Sequence, residues 1–217
     1  MRKTIAVLTL TLLATGNWAA LAQDAERSDA EKAAIAKIRE LGGQVMEVAQ
    51  DDPRLDVAYH LTDGDVTDEF LAPLVDLKDV VTLNLRGTKI TDAGLAHVAK
   101  LTSLEKLHLE KTAITDAGLP QLLGLENLEY LNLYGTQITN AGVQQLEALK
   151  NLKRLYVWQT GVDMEGFQAL KAARPELAII PDFIAEKKRA EEAIKNAEEA
   201  NAAAEEAEQN AEEVAEE

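Results

Sequence analysis

Histidine, serine and acidic side chains are where chemistry would first be sought, and this chain offers few of them in a usable pattern. The histidines are His60, His97 and His108, and the serines are Ser28 and Ser103. Neither serine stands in a nucleophile motif. Glu110 follows His108 by two positions, so on an extended strand the two would share a face and resemble an acid–base pair. Such a pair on an open surface has no desolvated pocket to tune it, so catalysis is not expected. Asp63, Asp65, Asp68 and Glu69 gather as in a calcium loop but lack that loop's glycine and terminal glutamate at the required spacing. Asp68 and Glu69 read instead as charges at the start of a short helix. Cysteine is absent, which removes disulfides, thiolate zinc sites and thiol catalysis. No phosphate loop or dinucleotide fingerprint is present. The sequence therefore implies no enzyme, no cofactor and no metal. Aromatic residues make up only 4% of the chain, yet Tyr130, Tyr134, Tyr156 and Trp158 lie close together. Large rigid side chains with polar tips are the usual material of binding surfaces.

The elements that would position these residues repeat every 24 positions. Leu83, Leu107, Leu131 and Leu155 are one such column, and Leu85, Leu109, Leu133 and Val157 are another. Thr88, Thr112, Thr136 and Thr160 follow the same step, as do Ile90, Ile114, Ile138 and Val162, and Gly94, Gly118, Gly142 and Gly166. Val98, Leu122, Leu146 and Leu170 complete the set, and a degenerate copy begins at Tyr59, Leu61, Gly64 and Val66. Within one unit, Leu107 and Leu109 alternate as on a strand, while Leu119, Leu122 and Leu125 step by three as on a short helix. Thr115 and Asp116 suit the N-cap of that helix. One unit cannot bury its apolar side alone. Each large aliphatic is worth ~1.5–3 kcal/mol when buried, and that burial requires neighbouring units to stack.

The stretch Leu-x-x-Leu-x-Leu-x-x-Thr-x-Ile-Thr-Asp-Ala-Gly-Leu at residues 104–119 resembles the leucine-rich repeat. It is most similar to the ribonuclease-inhibitor-like and F-box-type 24-residue subclass, in a bacterial exported form. The resemblance covers roughly residues 57–180. It implies an α/β solenoid, a curved right-handed superhelix with a parallel sheet on the concave side and short helices on the convex side. Thr88, Thr112, Thr136 and Thr160 fill the column usually held by Asn or Cys, and each hydroxyl is expected to bond the backbone of the turn. The resemblance also implies that strand residues between the leucines line the concave face. Stepped by 24, they form three ladders: Ala58, Thr82, Lys106, Tyr130 and Arg154; His60, Asn84, His108, Asn132 and Tyr156; and Thr62, Arg86, Glu110, Tyr134 and Trp158. Strands ~4.8 Å apart would separate His60 from His108 too widely for one zinc.

The two ends of the chain differ from the repeats. Arg2 and Lys3, the apolar run to Ala14 and Ala20-Leu21-Ala22 form a signal-peptide pattern over residues 1–22, giving a mature start at Gln23. No cysteine follows to carry a lipid, and the run is short for a membrane span. Residues 23–56 are expected to hold a capping helix, opened by Ser28-Asp29-Ala30-Glu31 and closed by Gly42-Gly43, and a strand. Residues 57–181 form the repeat domain. Residues 182–217 are an acidic tail rich in Ala and Glu. Ala190, Ala193, Ala197 and Ala200 open a heptad seam there, which leaves both a solvated tail and a coiled coil open. The net charge is −16, which opposes nucleic acid and anionic lipid.

The expected function is that of a non-enzymatic protein-binding module, periplasmic or secreted. Tyr130, Tyr134, Tyr156 and Trp158 would act as anchors, with Arg154, Lys106, Glu110, Arg86, His108 and Asn132 around them. Glycan or cell-wall binding at the same face, and a structural spacer assembled through the tail, are the other readings. Alternatively, the aromatic residues only pack on one another.

Overall fold

A computed structural model describes residues 27–181 and 193–197; the expected signal segment and most of the acidic tail lie outside the described residues. The repeats build one seven-stranded sheet in strict chain order, β1 Gln44–Ala49, β2 Asp52–Ala58, β3 Val80–Asn84, β4 Lys106–His108, β5 Tyr130–Asn132, β6 Arg154–Tyr156 and β7 Ala178–Ile180. β1 and β2 form an antiparallel hairpin, and every later pair is parallel. Between the strands run short helices: a 3-10 helix Asp68–Asp76, α2 Leu95–Val98, a 3-10 helix Leu119–Leu122, α3 Asn140–Gln145 and α4 Met164–Ala173. The unit with Leu119 and Leu122 is thus a tight 3-10 turn rather than an α-helix, with Pro120 in its first turn.

The periodic aliphatics are the core. Leu83, Leu107, Leu131 and Leu155 are fully buried, as are Ile90, Ile114 and Ile138 beneath the turn. Helix α1, Asp29–Glu40, closes the front: the Ser28 hydroxyl accepts from the Glu31 amide at 3.2 Å, and Ile35 and Ile38 are buried. Glu31 does not reach back to the cap backbone as a full capping box would; its carboxylate pairs with Arg27 at 2.8 Å. At the back, Arg174 is only 4% exposed and seals the last repeat. Its guanidinium donates to the carbonyls of Leu149 at 2.7 Å, Lys150 at 3.0 Å and Leu152 at 3.1 Å.

The turn threonines act as expected. Thr88, Thr112, Thr136 and Thr160 each donate from Oγ1 to the carbonyl three residues back, at 2.6–2.7 Å. Thr115 and Asp116 do not cap the short helix as expected, since its N-cap is Gly118 with no side-chain cap bond; with Asp68 they join neighbouring repeats instead. Each aspartate bonds the threonine of the next repeat: Asp68, Asp92 and Asp116 accept from the backbone amides of Thr91, Thr115 and Thr139, all at 2.8 Å. The same carboxylates take the threonine hydroxyls at 2.6, 2.6 and 2.5 Å. This ladder explains the glycine column. A Cβ on Gly94, Gly118 or Gly142 would lie 2.4, 2.3 or 1.9 Å from the carboxylate oxygen of Asp68, Asp92 or Asp116. In the last rung Asp163 stands where threonine would, and Asn140 replaces the aspartate, so no two carboxylates meet. Asn140 Nδ2 donates to Asp163 at 2.8 Å, and the Asp163 amide donates back at 3.0 Å.

The first repeat departs from the 24-residue step. Asp56, Val57 and Ala58 pair with Thr82, Leu83 and Asn84, a step of 26. The turn side keeps the step of 24, since Asp68 bonds Thr91 as Asp92 bonds Thr115. Two extra residues therefore lie between Tyr59 and Val66, and Leu61 is pushed out to 64% exposure. Ala58, His60 and Thr62 do not occupy their expected ladder positions. His60 lies in the turn after β2, and it shares no ladder with His108.

Candidate functional site

Parallel register fixes the strand-face columns from β3 onward. Thr82, Lys106, Tyr130, Arg154 and Ala178 stand side by side, and so do Asn84, His108, Asn132, Tyr156 and Ile180. Arg86, Glu110, Tyr134 and Trp158 follow two positions beyond, in the turns just past the strand ends, and continue the alternation that keeps every second residue to one face. The leucines between them point the other way, into the core. Ala178 and Ile180 were missing from the sequence-derived ladders because β7 lacks the periodic leucines that mark a full repeat.

The aromatic side chains divide into two groups. In the first, three rings run across neighbouring strands. His108 and Tyr130 have centroids 4.8 Å apart, and Tyr130 and Tyr156 lie 5.2 Å apart, both tilted. Tyr134 and Trp158 form the second group, near the strand ends, and no ring contact joins them to that row among the described residues. Trp158 is 46% exposed, whereas Tyr130, Tyr134 and Tyr156 are half-buried. Arg154 and Lys106 are exposed. The Arg154 guanidinium lies 5.7 Å from the Tyr130 ring centre, and Lys111 Nζ lies 5.6 Å from that of Tyr134. Lys111 was absent from the expected site. It sits in the turn column Gly87, Lys111, Gly135 and Gln159, all at positive φ between 54° and 72°. Its 24-residue step from Gly87 and Gly135 is the signal that could have placed it beside the third ladder.

Two residues expected to be exposed are buried. Glu110 is 8% exposed and Asn132 is 9% exposed. Both lie beneath the ring row, where their hydrogen bonds hold it in place. Glu110 Oε1 meets His108 Nδ1 at 2.9 Å and accepts from Asn132 Nδ2 at 2.7 Å. Asn132 Nδ2 also lies 3.2 Å from the Tyr130 hydroxyl, and its Oδ1 accepts from the Tyr134 amide at 3.0 Å. Burial is the main cause that pushes the Tyr130 phenol above its ordinary pKa; Asn132 opposes it, while Tyr156 and Glu110 add to it. Glu110 Oε2 is buried without a hydrogen-bond partner among the described residues.

Two grooves lie away from the aromatic face. One groove runs beneath the cap, lined by Arg27, Ile35, Arg39, Val45 and Met46, and another lies at the rim by Leu77, Asp79 and Lys100. Neither includes a residue of the aromatic face. Among the described residues no three His, Asp or Glu side chains gather as metal ligands. His108 and Glu110 do meet, but that carboxylate oxygen is already shared with Asn132.

Comparison with known proteins agrees with this architecture. Residues 78–99, 100–119 and 124–146 each match the Leucine Rich repeat family. Among solved structures, the LRR ectodomain of the receptor kinase SOBIR1 from Arabidopsis thaliana is similar at 16% identity and a TM-score of 0.41, covering 63% of this chain and 83% of that one. An internalin (inlF) from Listeria monocytogenes is similar at 23% identity and a TM-score of 0.31, covering 49% of this chain and 42% of its own. No curated protein matches the sequence significantly.

Proposed function

We propose that the strand face of this solenoid, three of whose repeats match a family that generally mediates protein–protein contacts, captures a protein partner without catalysing a reaction. The observation that carries this reading is the Tyr130–Tyr156 row on the parallel sheet together with Tyr134 and the half-exposed Trp158 in the turns that follow the same strands. Rigid aromatic anchors bury large area at little entropic cost, and that is where interface energy concentrates. Glu110 and Asn132 serve as positioning residues, because they fix the rings from below. The signal-peptide pattern of residues 1–22 supports a site of action in the cell envelope or outside the cell.

The test is affinity capture from envelope extracts with the full chain, side by side with the Tyr134→Ala, Trp158→Ala double variant. The double variant should lose the captured partner, at a cost of about 2 kcal/mol or more for each anchor that is a hot spot. Undiminished capture removes the strand face from the function. Retention on purified cell-wall polysaccharide with no protein present transfers the same face to glycan binding. Amino-terminal sequencing of the exported protein should begin at Gln23; a retained Met1 contradicts the export reading.

A further inference from the structure

The charges around the aromatic rings are opposite in sign to the molecule as a whole. Arg86, Lys106, Lys111 and Arg154 stand on or beside the strand face, and among the described residues none has a carboxylate within ion-pair distance. Three cations elsewhere on the sheet and turns are paired, Arg54 with Glu105 at 2.7 Å, Lys89 with Asp65 at 2.6 Å and Lys153 with Glu129 at 2.6 Å, while other lysines such as Lys78 and Lys100 are scattered away from the rings. The acids on the face are Asp56 and Glu110, and Glu110 is buried beneath the rings and bonded to His108 and Asn132. A chain of net charge −16 thus shows its aromatic platform as a cationic surface. Charge of one sign over such a patch draws in the opposite sign and penalises like charge.

Building on the binding role of this face, we infer that the partner segment is an acidic peptide. Its carboxylates meet Arg86, Lys106 and Arg154, and an apolar or aromatic side chain covers Trp158. Arginine suits this task, since its planar fork pairs with a carboxylate in two parallel hydrogen bonds.

The experiment is a selection of short random displayed peptides on the full chain, counter-selected on the full-length Trp158→Ala variant and repeated on the Arg86→Glu, Lys106→Glu variant. Peptides that depend on Trp158 should be enriched in Asp and Glu by roughly threefold or more over Lys and Arg, as charge complementarity requires. Their retention should fall as salt rises, and the charge-reversed variant should lose the acidic bias. Trp158-dependent peptides that are neutral or basic overturn the acidic assignment and leave the binding face standing. Acidic peptides retained equally by the charge-reversed variant also overturn it. Peptides retained without regard to Trp158 overturn the binding face itself. Heparin displacing the peptides in proportion to its charge and binding the Trp158→Ala variant as tightly as the parent assigns the surface to a general polyanion and overturns the peptide reading.

Discussion

The turn side of the solenoid and its strand face are built from the same repeats under opposite rules. Along the turns, each repeat supplies nearly the same residues to the same contacts: an aspartate reaching forward, a threonine receiving it and a glycine making room. Where one member changes, its partner changes too, as at Asn140 and Asp163. Across the strand face the columns vary: Thr82, Lys106, Tyr130 and Arg154 are neighbours in space and unlike in chemistry, and only asparagine recurs, at Asn84 and Asn132, each accepting from the backbone amide two residues on. A solenoid is held together by contacts between adjacent units, so periodic columns carry the stacking energy. Aperiodic exposed columns are free to carry recognition.

If the comparison is right, the largest losses come from the stacking side. Arg174→Ala removes the guanidinium that satisfies three carbonyls at the end of the last repeat. We expect about 2–4 kcal/mol of lost unfolding free energy in urea, because each buried carbonyl left without a donor costs ~1–3 kcal/mol. A loss below ~0.5 kcal/mol would mean that solvent replaces it freely. Next comes Gly142→Ala, whose new Cβ would lie 1.9 Å from an Asp116 oxygen. Overpacking of this kind costs about 1–3 kcal/mol. The pair Gly142→Ala with Asp116→Ala should cost less than the two single changes added together, since the clash disappears with the carboxylate. Strict additivity would remove the explanation given for the glycine column.

A smaller effect separates the last rung from the others. The side-chain bond from Asn140 chiefly, with the Gly166 and Glu165 amides, holds the Asp163 carboxyl below its ordinary value of 3.8. A carboxylate whose folded pKa is depressed contributes stability above its unfolded pKa and loses it as pH falls through the folded value. Asn140→Asp reverses that sign by facing two carboxylates. The variant should be less stable than the parent at pH 7 and should close the gap as the pH drops through the carboxylate range. A gap independent of pH would show that packing, not charge, selected asparagine there.

The fold was legible because every repeat buries the same shape, so the columns of Leu83, Leu85 and Ile90 recur without needing any tertiary information. The first repeat was misplaced because the step was counted from the regular units. Tyr59 to Val66 spans two more residues than Leu85 to Ile90, and the strand register absorbs the difference. The aromatic columns could be named from the period, but the burial of Glu110 and Asn132 could not. Polarity predicts exposure for single residues, whereas their cover comes from rings on neighbouring strands. The glycines were visible as a column, and their cause was hidden in contacts that cross from one repeat to the next.

The division between the two sides is tested most directly by the urea unfolding free energy of the Tyr134→Ala, Trp158→Ala chain, measured beside that of Gly142→Ala. Residues held for a partner contribute little to the fold, so the double variant should lie within about 1 kcal/mol of the parent while Gly142→Ala falls well below it. Destabilisation by the aromatic pair equal to or greater than that of Gly142→Ala would show that the rings pack for the fold's own benefit, and would contradict the account.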